Sequence, residues 1–167
     1  MNRIDKHQYY LGIADSVSER STCLRRRYGA VIVREDEIIS TGYNGAPRGR
    51  QNCTDIGRCV REEMQIPSGE RYELCRSVHA EANAIISASR RDMIGSTLYL
   101  IGRDSRGGLL PVAGCCSMCR RMILNAGISK VVAHVTGGYR DFLVRDWIMF
   151  DESVPRKKDC AEMEDVV

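Results

Sequence analysis

The sequence predicts an α/β domain whose sheet is joined by parallel crossovers. Three observations carry the prediction: short β-branched runs, apolar residues at helical spacing between them, and a recurring strand, helix, strand succession. The segment from Asp5 to Glu19 places Leu11, Ala14 and Val17 at helical spacing and reads as an opening helix. "GAVIV" and "EIIST" are β-branched runs parted by the polar "REDE", the pattern of a hairpin. From Gly42 to Tyr72 the chain turns to Gly, Pro, Asn and charge, which predicts a long loop that something other than apolar burial must hold. In "SVHAEANAII" and just beyond, Ala80, Ala84, Ile85 and Ala88 recur at helical spacing, so His79 and Glu81 fall in the first turn of a helix. There follow a strand "TLYLI", a Gly-rich connection "GRDSRGGLLPVAG", a helix from Cys116 stopped by Gly127, and a strand "KVVAHV". Tyr139 to Phe150 reads as a last helix. Residues 1–150 are thus expected to form one domain, and 151–167 a charged tail that frays.

Composition narrows the class of function. A chain of 167 residues, 43% hydrophobic and 28% charged, supports one globular domain with a real core. The opening "MNRIDKHQYY" lacks the apolar run of a signal peptide, and no apolar stretch is long enough to cross a bilayer. The expectation is a cytoplasmic protein without membrane partners. A formal charge of +3 is too small for a general polynucleotide binder, although the arginines of "LRRRYG" and "APRGRQ" suit a single phosphate.

Eight cysteines in such a chain point toward metal or catalysis rather than disulfides. A lone cysteine such as Cys160 is ordinarily a small buried hydrophobe, but the others cluster. Cys115, Cys116 and Cys119 share one segment, Cys53 and Cys59 another, and Cys75 precedes His79 closely. The His79 and Cys116 helices each follow a loop, and each opens with a positive N-terminal turn that favours a thiolate. Cys116 and Cys119, at i and i+3, share one helical face. Two thiolates and one imidazole make a tetrahedral zinc site with three protein ligands and an open fourth position, the mark of a catalytic zinc.

His79-Ala80-Glu81 followed by Cys116-Ser117-Met118-Cys119 resembles the H-x-E and P-C-x-x-C signature of the zinc-dependent cytidine deaminase superfamily. "CLRRRYGAVIV", "IISTGYNGAPRG", "NC", "HAEANAI" and "NAGISKVV" fall in the order seen in deoxycytidylate deaminases, covering most of Thr22 to Val135. The resemblance implies a three-layer fold, a central mixed sheet flanked by helices, and hydrolysis of deoxycytidylate to deoxyuridylate and ammonia. It implies zinc on His79, Cys116 and Cys119, with Glu81 carrying protons from water to the ring nitrogen and the departing ammonia. Asn44 would hydrogen-bond the nucleotide near its sugar or base, and Arg26, Arg27 or Arg48 would meet a 5′-phosphate. Gly42, Tyr43, Asn44 and Gly45 match a loop near a regulatory site for deoxynucleoside triphosphates, dCTP and dTTP. Cys23 and Cys53 match cysteines of a second, structural zinc, which Cys59 and Cys75 would complete. Members of the superfamily usually assemble, so a homo-oligomer is expected.

Two departures stand out. Cys115 occupies the place of the usual proline and offers a competing sulfur, although the i, i+3 spacing favours Cys116 with Cys119. The connection from Gly102 to Gly114 is longer than the family's and is expected to enter the site beside the zinc, where it would bear on substrate choice. Two other readings stay open: a deaminase of the same fold acting on another nucleoside, base or tRNA adenosine, and a non-catalytic module stapled by structural zinc. The modest charge disfavours tRNA, and Glu81 beside a three-ligand set disfavours the module. Tyr139 and Trp147 suit either base stacking or ordinary packing.

Overall fold

The computed structural model describes residues 3–150. The predicted tail 151–167, with Cys160, lies outside the described residues. The elements run α1 (Lys6–Ser18), β1 (Arg26–Arg34), β2 (Glu37–Tyr43), α2 (Cys53–Ile56), α3 (Val60–Glu63), α4 (Ala80–Ile86), α5 (Arg90–Met93), β3 (Thr97–Asp104), α6 (Ser117–Ala126), β4 (Lys130–Val135), β5 (Gly138–Leu143) and α7 (Val144–Met149). A 3-10 turn at Tyr72–Leu74 precedes α4.

The five strands form one mixed sheet in the order β2-β1-β3-β4-β5. β1 pairs antiparallel with both β2 and β3, so β2 and β3 share a direction and α4 crosses over β1 between them. β3 and β4 pair in parallel, joined through α6. Both crossovers expected from the sequence are therefore present. α1 covers one face through Tyr10, Leu11 and Ala14 against Val31, Val33, Tyr99 and Val132. Ala80 and Ala84 of α4 and Ile123 of α6 pack on the other face with Ile32, Leu98 and Leu100, completing three layers.

Two glycines set how closely the helices sit. A Cβ on Gly29 would lie 1.9 Å from the Ala14 carbonyl oxygen of α1, and one on Gly42 would lie 2.3 Å from the Ala80 oxygen and Ala84 nitrogen of α4. Both helices thus rest on strand backbone, an approach only glycine permits.

The last segment departs from expectation. Tyr139 to Phe150 is not one helix: Gly138–Leu143 pairs with β4 as an antiparallel strand, and only Val144–Met149 is helical. The open edge of β4 supplies a hydrogen-bonding partner immediately after the Gly137-Gly138 turn, and pairing there satisfies backbone groups an exposed edge would leave to water. The short α5, capped by Ser89, was not anticipated. The stretch from Gly42 to Tyr72 carries two one-turn helices rather than plain loop.

The connection after β3 is also corrected. It reaches the site only at its last residue, because most of it folds back on the sheet: Leu110 N–H donates to Gly102 O, Thr136 N–H to Pro111 O, and Asp104 Oδ1 accepts from the Arg106 and Gly108 amides. Of this connection, only Gly114 reaches the cavity described next.

Candidate active site

α4 and α6 lie side by side on one face of the sheet and bring their N-terminal ends together. Their cap residues, His79 and Cys116, have nearly the same extended backbone, φ −70° with ψ 155° and φ −70° with ψ 165°. Neither side chain caps its own helix, so both face each other instead. His79 Nδ1 lies 3.4 Å from Cys116 Sγ and 3.4 Å from Cys119 Sγ. Tetrahedral zinc with ordinary Zn–S and Zn–N bonds places such N and S atoms about 3.6 Å apart, so the donor set and its spacing fit that ion. Among the described residues, this trio is the His, Cys, Asp or Glu group whose ligand atoms all lie within 4.8 Å.

The trio's protons are already unevenly held. Cys116 is pushed down to about 4 by hydrogen bonding from Cys119, and His79 hydrogen-bonding acts in the same direction. Cys119 is pushed up, because it holds the proton the two sulfurs share and is buried. His79 is raised by its bond to the Cys116 sulfur. Glu81, in the first turn of α4, is 4% exposed, and burial pushes its carboxyl up. The Cys115 thiol is pushed up by burial and then by the neighbouring Glu81 carboxylate. Cys115 is therefore outside the ligand trio, and the i, i+3 pair stands as the spacing indicated.

The cavity beside the trio is lined by Glu81, Asn44, Arg26, Tyr28 and Tyr72, among others. Of the three arginines expected at a phosphate, only Arg26 lines it. Strand alternation explains the difference: Arg27 shares the parity of Gly29, Val31 and Val33, which face α1 across the sheet. Arg48 is exposed on a turn away from the cavity. Arg25, Arg61 and Arg76 also line it; Arg25 belongs to the "LRRRYG" run, whereas Arg61 and Arg76 were missed because they lie in stretches where no periodicity assigns a face. Tyr28 was legible, being two residues from Arg26 on β1. Tyr139 and Trp147 are elsewhere: Tyr139 packs on His7, and Arg120 lies over the Trp147 ring.

Asn44 lines the cavity but is 6% exposed and tied into the chain. Its Oδ1 accepts from the Tyr28 amide at 2.7 Å and Ser21 Oγ at 2.7 Å, and its Nδ2 donates to Arg26 O at 2.9 Å. The side-chain amide continues the β1–β2 ladder where β2 has ended. Gly42 and Gly45 have packing roles, against α4 and Thr22, and Tyr43 O accepts from Asn83 Nδ2.

Cys23, Cys53, Cys59 and Cys75 all line the same cavity as free thiols. The Cys53 thiol is pushed up by burial and by the proximity of Cys23, Cys75 and Cys59. The four are neighbours, although they are not drawn together as tightly as the His79 trio.

Comparison with known proteins agrees with this geometry. The profile of the cytidine and deoxycytidylate deaminase zinc-binding region matches residues 4–135. A deoxycytidylate deaminase of Mycobacterium phage D29 is 38% identical over 136 residues, covering 79% of this chain and 96% of that protein. One from Schizosaccharomyces pombe is 35% identical over 129 residues, 77% of this chain but 36% of that protein, so the chain spans about a third of its length. The apo crystal structure of a dCMP deaminase from the cyanophage S-TIM5 superposes with a TM-score of 0.54 at 26% identity, covering 78% of this chain and 82% of that one. With the matched profile spanning both helix caps that carry the trio, the chain belongs to the zinc-binding cytidine and deoxycytidylate deaminase family.

Proposed function

We propose that this chain hydrolyses deoxycytidylate to deoxyuridylate and ammonia. The observation that carries the reading is a buried carboxyl, Glu81, sharing one cavity with Arg26 and with His79 and Cys116 of a His/Cys/Cys donor set. The names of the phage and yeast relatives support the choice of substrate. Zinc held by His79, Cys116 and Cys119 would supply acidified water and a Lewis acid. Glu81 takes a proton from the attacking water and delivers it to the ring nitrogen. The C4–O bond forms; Glu81 then takes the second proton of that water from the new C4 hydroxyl and gives it to the amino group, the C4–N bond breaks, and ammonia leaves as the carbonyl of deoxyuridylate forms. Burial pushes the Glu81 carboxyl up, which suits a group that accepts a proton and then passes it on. Tyr28 and Tyr72 offer faces and edges for a pyrimidine, and Arg26, on the same cavity wall, is available to the 5′-phosphate. Asn44 would reach the nucleotide with its second amide hydrogen while the rest of that amide ties the chain.

Three further parts of the reading have separate support. A second, structural zinc on Cys23, Cys53, Cys59 and Cys75 is supported by four neighbouring thiols on one cavity wall. Homo-oligomerisation is supported by the exposed Leu143, Ile148, Met149 and Phe150 at the end of the fold. A dCTP or dTTP effector site at Gly42, Tyr43, Asn44 and Gly45 draws less support, since these residues are engaged in packing and ladder bonds. No helix among the described residues is long and apolar enough to cross a membrane. The wealth of thiols fits work in a reducing cytoplasm.

The test is ammonia release by zinc-loaded protein from deoxycytidine monophosphate, cytidine monophosphate, deoxycytidine, cytosine, adenosine and guanine, with Glu81→Gln alongside. Turnover centred on the deoxynucleotide, lowered about 10²- to 10⁴-fold by the substitution, is expected. Turnover centred on another compound, or a Glu81→Gln protein as active as the parent, would overturn the reading.

A further inference from the structure

We propose that Tyr72 is a positioning residue for His79, and that Arg61 clamps Tyr72 in place. The proposal rests on His79 being a zinc ligand and adds a task for two residues of the long loop. The Tyr72 ring meets the His79 imidazole edge to face, with centroids 4.8 Å apart and planes at 86°. The Arg61 guanidinium lies over the Tyr72 ring, 4.7 Å from its centroid, within cation–π range.

Arg61 is an unusual residue to find there. It is 6% exposed, and its Nη2 donates to two loop carbonyls, Pro67 O at 2.7 Å and Glu70 O at 2.5 Å. Its Nε is buried without a hydrogen-bond partner. A guanidinium held in this way is costly to bury. What the burial accomplishes is local: the carbonyl bonds close the 67–70 turn, and the guanidinium face holds the ring that follows. Arg71, immediately before Tyr72, has φ 48° and ψ 47°, a left-handed conformation that residues with a side chain seldom adopt. Beyond it, Cys75 N–H donates to Tyr72 O, so one short turn carries both the ring and one of the four neighbouring cysteines.

His79 needs such a neighbour. As a cap residue it stands at the edge of α4, and its side chain forms no bond to its own helix. Its Nδ1 nevertheless must hold a fixed direction to reach two sulfurs at once. An aromatic edge against the imidazole restricts rotation of the ring about its bond to the chain, which keeps the nitrogen lone pair aimed between the sulfurs. Groups that orient a metal ligand typically contribute about ten- to a hundredfold to metal affinity.

The experiment measures zinc affinity by competition with a chromophoric chelator. It also records the cobalt(II) absorption assigned to the catalytic site as the part lost in His79→Ala. Tyr72→Phe keeps the ring and is expected to stay within about twofold of the parent. Tyr72→Leu is expected to bind zinc about tenfold or more weakly and to shift the cobalt band. Unchanged affinity and spectrum in Tyr72→Leu would overturn the proposal. Should that variant fail to fold, Arg61→Lys, which keeps the charge but not the planar face, is read in the same way: a shifted band supports the clamp and an unchanged one overturns it. A His79→Ala protein that retains the full cobalt spectrum would instead defeat the zinc-ligand reading, while loss there with an unaffected Tyr72→Leu defeats only the present proposal.

Discussion

Replacing Asn44 by alanine separates a structural amide from a substrate contact. The side chain satisfies the Tyr28 amide and the Arg26 carbonyl, both on β1 where no β2 residue remains to pair with them. Truncation strands one backbone donor and one backbone acceptor at a site that is 6% exposed, and removes the acceptor for Ser21 Oγ as well. With each stranded backbone group costing roughly 1–3 kcal/mol, the loss is about 3 kcal/mol after partial relief by water. For a chain of this length about 2–4 °C of melting temperature goes with each kcal/mol, so a fall of about 6–12 °C is expected. Thermal unfolding followed by circular dichroism measures it, with KM for deoxycytidylate determined at a temperature where the variant is folded. A melting temperature within about 2 °C of the parent, accompanied by a tenfold rise in KM, would refute the ladder argument and make Asn44 a nucleotide contact alone.

Arg26→Gln is expected to raise KM for deoxycytidylate about tenfold or more with little change in kcat, whereas Arg27→Gln, on the α1 face, should leave both within about twofold; equal effects would refute the strand-parity assignment. Metal analysis of the purified chain is expected to give two zinc ions, falling to one in Cys59→Ser/Cys75→Ser with loss of thermal stability; a count of one in the parent removes the structural site. Asp36 accepts from Lys6 Nζ at 2.7 Å and from Tyr10 Oη at 2.7 Å, and these bonds hold its carboxyl below the usual range. Because the folded value is the lower one, the interaction contributes fully above the unfolded carboxylate pKa of about 3.9 and is lost as pH falls through the folded value. Carbon-detected NMR titration should show the low midpoint, and Lys6→Met should move it upward; an unmoved midpoint refutes the assignment to Lys6.

Much of the gathering of His79, Cys116 and Cys119 was legible because local geometry sets it. A cap histidine, a carboxyl two residues on, and two cysteines at i and i+3 keep their relations in any chain that forms those two helices. What the sequence left unread depends on distant partners. Gly138–Leu143 becomes a strand because β4 offers an edge, which no property of "GYRDFL" announces. The connection after β3 has the composition of a pocket loop yet is drawn back by bonds to Gly102 and Thr136. Arg61 and Tyr72 lie in a stretch without periodicity, so their meeting with His79 emerges only once the chain has closed. Asn44 shows the opposite hazard: its place at the cavity was foreseen, but not that its amide is mostly spent on β1.

The glycine contacts under α1 and α4 have a mechanical meaning. Gly42 pairs with Ala30, next to Gly29, so both helices are seated on the sheet at the same level from opposite faces. The height of α4 above the strands is thus gauged by main chain against main chain, a spacing that side-chain volume cannot alter. α6 has no such stop and rides on Ile123 and its apolar neighbours. Changes of size in that core will therefore displace the two sulfurs of the candidate metal site while the imidazole stays registered to the sheet. The tolerance of the centre to core substitution is set by how far Cys116 and Cys119 can travel together on their helix.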